Sequence, residues 1–294
     1  MMMVLMCFFI YGFLGWCCEV CYAALIHGKF VNRGFLNGPL CPIYGFGVIA
    51  VVFLLNPFKE NFVVLFLGSV LITSLIELTA GFVLEKMFHQ KWWDYSDKPF
   101  NIGGYICPLF SLMWGIACMV VVDRIHPFVI GVIDFVPSLI AMIILAVFVV
   151  LFMVDMIETV KTILKFNKKL ARIDELSAMI KKTSNEIGEN LATKTLELVN
   201  MKEEIEVKME QKKKLYGEEA AAQLEAKREM LERYEQTLRD LKQASKEILE
   251  TSPFGMKRLL SAFPNISSTY YNEALKRLKE YKLNRTEQHD SENH

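Results

Sequence analysis

The sequence predicts an all-α protein with two parts, a polytopic helical membrane domain and a cytoplasmic helical tail. The first observation is the distribution of charge over the 294 residues, which include 33 basic and 33 acidic side chains. Residues 1–154 hold only 7 of the basic and 8 of the acidic ones. The second observation is a series of long apolar runs in that first part, and the third is a coiled-coil spacing in the tail. A single water-soluble domain does not divide its charges in this way.

Five apolar segments have about the length that crosses a membrane, since roughly 20 helical residues span ~30 Å of hydrocarbon. They are about Val4–Ile26, Leu40–Leu55, Phe62–Phe88, Tyr105–Val122 and Ser138–Ile157. We expect residues 124–137 to form an interfacial elbow before the fifth span. The predicted domains are a membrane domain over residues 1–157, a long-helix coiled-coil region over 158–250, and a C-terminal segment over 251–294.

Basic residues flank the spans unevenly. The loops after the first, third and fifth spans carry two or more Lys or Arg, whereas those after the second and fourth carry only Lys59 and Arg124. Loops rich in Lys and Arg stay in the cytoplasm. The pattern therefore predicts a multi-pass plasma-membrane protein with its N-terminus outside and its C-terminus in the cytoplasm.

Two patterns recur at a fixed offset of 66 residues. Glu19, at the end of a Gly–aromatic–x–x–Glu pattern, matches Glu85. The matched loop positions are Gly38, Cys41 and Pro42 in the first copy and Gly104, Cys107 and Pro108 in the second. Two spans separate the copies, so both have the same orientation in the membrane. They are either a parallel two-helix repeat about an axis along the membrane normal, or the match is a coincidence in a chain rich in Gly and aromatic residues.

Ionisable side chains at membrane depth are costly, so they usually face a cavity or a partner. Glu19 lies in the first span and Glu77 in the third, each on a stripe of small residues that permits close helix approach. We therefore predict a polar cavity open to the cytoplasm. Its candidate binding residues are Glu19, Glu77, Glu85, Arg33, Asn32, Asn101, Asp94 and Asp97. The alternative is a purely structural network in which Arg33 neutralises one Glu.

The loops beside these carboxylates are rich in Gly, Pro, Asn and Asp, which set specific turns. Trp92, Trp93 and Tyr95 are expected to anchor the third loop at the headgroup level. We expect Asp94, Asp97 and Asn101, together with Arg33, to close a polar network over the buried Glu residues.

In the tail, Leu170, Ile173, Leu176 and Ile180 follow the spacing of a coiled-coil seam. The stripe favours either two antiparallel helices joined near Gly217 or a parallel homodimer through one long helix. Gly188 marks a weak point. After Pro253, apolar residues such as Leu259 and Phe263 are expected to dock under the cytoplasmic loops. A last helix is predicted near Tyr270–Lys282, and residues 287–294 are expected to be disordered.

The sequence lacks the motifs of several functional classes. The chain has no phosphate-binding Gly-x-x-x-x-Gly-Lys-[Ser/Thr] loop, no Gly-x-Ser-x-Gly and no His-Glu-x-x-His. The seven Cys show no zinc-type spacing, and a neutral net charge argues against nucleic acid. We therefore expect no catalytic residues, no metal site and no cofactor, so the protein is not predicted to be an enzyme.

Two long stretches carry a family resemblance. Residues 31–47 read Val-Asn-Arg-Gly-Phe-Leu-Asn-Gly-Pro-Leu-Cys-Pro-Ile-Tyr-Gly-Phe-Gly, and residues 92–107 read Trp-Trp-Asp-Tyr-Ser-Asp-Lys-Pro-Phe-Asn-Ile-Gly-Gly-Tyr-Ile-Cys. Through them, about residues 5–155 resemble the bacterial family of putative ABC-transporter type IV permeases, and residues 258–265 resemble tails that follow that domain. The resemblance implies a multi-span protein, mostly of Gram-positive bacteria. It brings no catalytic or substrate-binding residues.

The sequence is consistent with three functions. The first is a permease-type transport subunit in the lipid bilayer, energised by a separate ATPase subunit or an ion gradient, whose cavity takes a cation, a cationic substrate or protons. The second is a membrane scaffold or sensor that acts through its tail, with homodimerisation as one form. The third and most distant is a protein that binds or modifies a lipid headgroup.

Overall fold

The computed structural model describes residues 1–28, 30–207, 213–251 and 255–292. The described part is almost entirely helical, which confirms the predicted fold class. Its helices are α1 (Met2–His27), α2 (Pro42–Leu55), α3 (Phe62–Phe88), α4 (Pro108–Val120), α5 (His126–Phe135), α6 (Ser138–Val207), α7 (Lys213–Glu250), α8 (Met256–Ala262) and α9 (Asn272–Glu292). Two short strands, β1 (Gln90–Lys91) and β2 (Ser267–Ser268), pair antiparallel.

Four of the described helical stretches are long and apolar enough to cross a membrane. They are Met2–Ile26, Phe62–Phe88, Pro108–Phe135 and Ser138–Glu189, and the shorter apolar helix Pro42–Phe58 lies between the first two. Large apolar side chains on these helices point outward, as lipid-facing ones do; Phe53 is 80% exposed. The structure thus has the helices of a multi-span membrane protein.

The interfacial elbow predicted over residues 124–137 is too long, because residues 124–135 are helical. A π-helical turn at Val121–Ile125 joins α4 to α5 without a break in the helix. Pro127 closely follows this turn. A proline removes one hydrogen bond from a continuous helix, and a π-turn, which accommodates an extra residue, is one way in which a helix adjusts to such an interruption. The chain leaves the helix only at Val136, which has extended backbone angles and precedes Pro137, as residues before a proline prefer.

Two helical hairpins build the membrane domain, α1 with α2 and α3 with α4. Each second helix begins with a proline, Pro42 or Pro108, directly after an extended cysteine, Cys41 or Cys107. Proline suits this position because its fixed φ is helical and the first N–H has no intrahelical acceptor. The repeat-related cysteine and proline positions therefore play the same structural role in both hairpins.

Two buried clusters hold these helices together. The first joins α1 to α5 and α6 and contains Met6, Cys7, Phe8, Phe9, Tyr11, Val129, Ile133, Ala141 and Leu145. The second joins α2, α3 and α4 and contains Val51, Leu55, Leu65, Cys118 and Val122.

Gly45 is predicted to be essential to the packing of α2 on α1. A Cβ atom at this position would lie 2.7 Å from the backbone oxygen of Phe8, which cannot rotate away. We expect Gly45→Ala to lower the free energy of unfolding by about 1–3 kcal/mol, as overpacking does. Gly47→Ala is the matched control, because a Cβ there meets nothing within 4 Å; it should be neutral or stabilising by up to about 1 kcal/mol. Thermal unfolding in nanodiscs measures both, and equal melting temperatures would contradict this packing.

The chain divides into two compact units, one of residues 1–168 and 253–279 and one of residues 169–252 and 280–294. In the first unit, the C-terminal segment packs against the loops at the ends of α1 and α3. Met256, Leu259, Ala262 and Ile266 are each at most 2% exposed, and the ring of Phe263 lies 5.0 Å from that of Trp92. The predicted docking of this segment is confirmed for Leu259 and Phe263, and Phe254 lies outside the described residues.

In the second unit, Leu170, Ile173 and Leu176 are at most 3% exposed, and the Lys169 amine donates to the carbonyl of Thr251. The end of α7 thus lies beside Lys169, as in an antiparallel arrangement. Gly188 and Gly217 both lie inside helices, α6 and α7, so the break expected at Gly217 is wrong; residues 208–212 are outside the described chain.

The structure also corrects the expected end of the chain. Helix α9 continues to Glu292, so residues 287–292, expected to be disordered, are helical. Extending an existing helix gains one hydrogen bond for each residue fixed, whereas starting a new one is costly. Residues 293 and 294 lie outside the described chain.

Candidate functional site

Three carboxylates in the second halves of α1 and α3 each accept a hydrogen bond from a tyrosine hydroxyl. We call this set, with its tyrosines, the carboxylate layer. Its pairs are Tyr44 with Glu19 at 2.6 Å, Tyr95 with Glu77 at 3.2 Å, and Tyr105 with Glu85 at 2.6 Å. The three acids differ in what else surrounds them, and this difference separates their roles.

Glu19 is the compensated acid of the layer. Its second carboxylate oxygen lies 3.1 Å from Nε of Arg33, which comes from the loop after α1. The Arg33 guanidinium also lies over the ring of Tyr22, 5.4 Å from its centroid. Arg33 therefore neutralises Glu19, as the structural alternative predicted for one of the buried acids.

Glu77 is the uncompensated acid. The residue is only 9% exposed, and its Oε2 atom is buried without a hydrogen-bond partner in the described part of the chain. Within the described chain, Glu77 has no ion pair with a Lys or Arg; its hydrogen bond comes from Tyr95. Burying a carboxylate with one neutral donor is unfavourable. Such a group is retained at a cost in stability, which is typical of a functional position in a membrane helix.

Glu85 lies two helical turns beyond Glu77 and is partly exposed. Its two oxygens accept from the hydroxyls of Tyr105 and Thr269, the latter at 3.3 Å. Thr269 belongs to the docked C-terminal segment. Glu85 therefore ties that segment to α3.

Tyr95 connects Glu77 to the third loop. Its ring stacks on Phe110, with 4.7 Å between centroids. Burial raises the pKa of Tyr95 well above its usual range, and the carboxylate of Glu77 and, more weakly, that of Glu19 raise it further. Tyr95 thus stays a neutral donor, and it lies within electrostatic reach of both span-embedded carboxylates.

The other predicted loop residues do not join this layer. Asn32 accepts from the Trp16 indole at 2.7 Å and braces its own loop. Asp94 accepts from Ser96, Asp97 pairs with Lys98, and Asn101 bonds to Ser96, Lys98 and Gly104. The polar network expected of Asp94, Asp97 and Asn101 therefore folds the third loop instead of covering the buried Glu residues. These short side chains bond to backbone and side-chain groups only a few residues away in the same turn.

Of the three predicted interface anchors, Trp92 is buried, whereas Trp93 and Tyr95 are half-buried. Trp92 is only 4% exposed and packs between Phe35 and Phe263. Trp93 donates to the carbonyl of Tyr105 at 2.9 Å, and Tyr95 donates to Glu77. These aromatic residues hold the loop onto the helices, so the expectation that they face the headgroups is not met for Trp92.

A second polar network was missed by the sequence analysis. The Asp155 carboxylate in α6 accepts from the backbone N–H groups of Asn37 and Gly38 at 3.1 and 2.7 Å, and from the Asn37 amide. Arg258 of α8 donates to the carbonyls of Gly34 and Phe35 and to Asn37 Oδ1. Burial lowers the pKa of Arg258, but an arginine stays charged in proteins. The only sequence signal was an acid at the end of an apolar run.

The two glycines at repeat-related positions have different structural roles. Gly38 donates to Asp155, whereas Gly104 has a φ of 75° and lies so close to Asp94 that a Cβ would clash with it. Among the described residues, no group of three or more His, Cys, Asp or Glu could hold a metal ion.

Apolar helices long enough to cross a membrane, with ionisable groups buried among them, define a multi-span membrane protein. The chain belongs to the family described as "Putative ABC-transporter type IV", whose profile matches residues 6–160. The resemblance drawn from residues 31–47 and 92–107 is thereby confirmed, and the chain is transporter-like. No curated protein and no solved structure matches it.

Proposed function

We propose that this chain is the membrane subunit of a transporter in which Glu77 handles the charge of the transported species. The observation that carries the proposal is the buried Oε2 atom of Glu77, which has no hydrogen-bond partner among the described residues, in a helix of membrane-spanning length. A cation, a cationic substrate or a proton would satisfy this oxygen. Family membership supports transport as the general activity.

The neighbouring acids support a negatively charged site. Arg33 compensates Glu19, and this leaves the charges of Glu77 and Glu85 without a described ion pair. The expected cavity residues were Glu19, Glu77, Glu85, Arg33, Asn32, Asn101, Asp94 and Asp97. We now propose the smaller set of Glu77 and its donor Tyr95, because Arg33 pairs with Glu19, Thr269 ties Glu85 to the C-terminal segment, and Asn101 bonds within its own loop. Tyr95 of the third loop donates to Glu77 and would control access to that carboxylate.

We further propose that the chain is not itself an enzyme and that a separate ATPase subunit supplies the energy. The sequence has no phosphate-binding loop of its own. The distribution of Lys and Arg favours the bacterial plasma membrane, with the N-terminus outside and the C-terminus in the cytoplasm. The carboxylate layer would then lie on the cytoplasmic side.

The test uses inverted membrane vesicles from cells that make the protein, compared with vesicles from cells that lack the gene. With ATP added, uptake of radiolabelled sodium, uptake of radiolabelled spermidine and proton entry are measured separately. We expect at least one of the three fluxes to depend on the chain. Native mass spectrometry of the gently purified protein should show an ATPase subunit. Equal fluxes in both vesicle types would contradict the proposal.

The tail supports a second candidate, a membrane scaffold or sensor that acts as a monomer or homodimer. The observation that favours it is the length of α6, which continues to Val207, some fifty residues beyond the apolar span.

Because Lys169 lies beside Thr251, residues 177 and 243, eight further along each helix, should be neighbours. We expect a variant with residues 178–242 replaced by a short Gly-Ser linker to keep its flux, since it retains α8 and the docked segment. If the protein is a scaffold, this variant should still fold, but cells that carry it should lose the phenotype that the wild-type protein gives. Flux lost together with the tail would favour the second candidate over the first.

A further inference from the structure

The tip of the third loop displays two apolar side chains outward. Phe100 is 87% exposed and Ile102 is 58% exposed. Phe100 also has a φ of 56°, in a backbone region that bulky residues rarely adopt. Glycine or asparagine would adopt this turn conformation more easily. The phenylalanine side chain is therefore expected to have a role beyond forming the turn.

The loop that carries these residues is fixed by hydrogen bonds. The N–H of Tyr95 donates to the carbonyl of Gly104 at 2.8 Å, and the N–H of Lys98 donates to the carbonyl of Tyr95. The Asn101 amide donates to the carbonyl of Lys98 at 2.8 Å, and Ile102 bridges to Ile106. Phe100 is therefore presented by an ordered tip.

The loop also folds back along α3. A Cβ atom on Gly81 would lie 2.7 Å from the ring of Tyr105 and 3.2 Å from that of Trp93. Gly81 lies seven residues before the end of α3, which is about 10 Å along the helix axis at 1.5 Å per residue.

This places the base of the loop at the depth of the membrane boundary. A helix of 27 residues is about 40 Å long, close to the thickness of a bilayer with its headgroups and longer than its ~30 Å hydrocarbon core. A residue about 10 Å from the helix end is then near the edge of the hydrocarbon. Ile102 lies beside Ile106, two residues before the apolar helix α4 begins, so the tip adjoins the membrane-spanning helices.

We propose that the loop tip formed by Phe100 and Ile102 is an interfacial anchor that inserts its side chains among the lipids of the bilayer. The anchor takes the role predicted for Trp92, Trp93 and Tyr95. Trp92 is buried instead, Trp93 donates to the carbonyl of Tyr105, and Tyr95 donates to Glu77. Apolar side chains at the headgroup level gain contact with acyl chains. The same loop carries Tyr95, so the anchor would also fix the position of the residue that covers Glu77.

The experiment places the photoreactive residue p-benzoylphenylalanine at position 100 of the full chain, in proteoliposomes of phosphatidylcholine and phosphatidylglycerol. After irradiation, intact mass spectrometry detects the adduct. Position 53 in α2 is the positive control, since Phe53 is 80% exposed on an apolar helix, and position 263 is the negative control, since Phe263 packs on Trp92.

We expect lipid adducts at position 100 within about twofold of the yield at position 53 and at least about tenfold above that at position 263, because a packed ring has no lipid in reach. Irradiation in native membranes should give the same lipid adduct. A cross-link from position 100 to another protein there, or a yield no higher than at position 263, would overturn the proposal. Neither result would affect the role proposed for Glu77.

Discussion

Arg258→Ala is expected to release the C-terminal segment from the loops, so that the Thr269 amide exchanges its hydrogen on the order of 100-fold faster. The three acceptors of Arg258 are the carbonyls of Gly34 and Phe35 and the side chain of Asn37, at 2.7, 3.1 and 3.1 Å. Hydrogen bonds to charged groups contribute about 1.5–3 kcal/mol each, and the buried acceptors would lose their donor. A loss of about 3 kcal/mol corresponds to roughly two decades in an opening equilibrium.

The reporting amide is well placed for this measurement. The N–H of Thr269 donates to the carbonyl of His89 at 2.9 Å, so it is protected only while β2 lies against β1. Hydrogen-exchange mass spectrometry of the peptides that cover residues 256–271 reads this protection directly. Arg258→Lys should give an intermediate rate, because one ammonium group cannot reach three acceptors arranged for a planar fork.

Lys276→Ala is the matched control for Arg258→Ala. Lys276 lies in the adjoining helix α9 and forms an exposed ion pair with Glu273, which contributes only about 0–1 kcal/mol. Its removal should leave the exchange at Thr269 unchanged within a few-fold. If Arg258→Ala also left that exchange unchanged, the docked segment would be held by its apolar residues alone.

The spans and the local hairpin pattern were predictable because they depend on short-range features. Apolar length predicted the membrane helices, and proline after an extended cysteine marked the starts of α2 and α4. The offset of 66 residues also paired Glu19 with Glu85, and both indeed accept a tyrosine hydroxyl at 2.6 Å. The tyrosines themselves, Tyr44 and Tyr105, are not at matching positions, so the repeat is only approximate.

The network of Arg258, Asn37 and Asp155 was not predictable in this way. Its members are separated by more than a hundred residues in sequence, and no periodic pattern connects a loop, a span and a C-terminal segment. Trp92 illustrates a related error. Its type suits a membrane interface, but whether an aromatic residue faces lipid or a neighbouring segment depends on where the C-terminal Phe263 docks.

Glu77→Gln is expected to abolish transport while preserving the fold. The amide has the same shape and still accepts from Tyr95 at the position of Oε1, but it cannot carry the negative charge that binds a cation or exchange a proton. Removing one partner of a buried charge pair costs about 2–5 kcal/mol, and 1.4 kcal/mol is a factor of ten. Chain-dependent flux in the inverted vesicles should therefore fall by at least about 30-fold.

The same substitution should not lower stability, and this separates function from folding. In the native protein, Oε2 of Glu77 is buried without a hydrogen-bond partner from any residue that the structure describes, so replacing the carboxylate with a neutral amide removes a desolvation penalty. The melting temperature of Glu77→Gln should be equal to or above that of the wild type. Glu85→Gln is the control in the same helix, because Glu85 is partly exposed and its hydroxyl donors remain available to an amide oxygen; its flux should change little. If Glu77→Gln melted higher and kept its flux, Glu77 would have no part in transport, and the scaffold would become the better account of the protein.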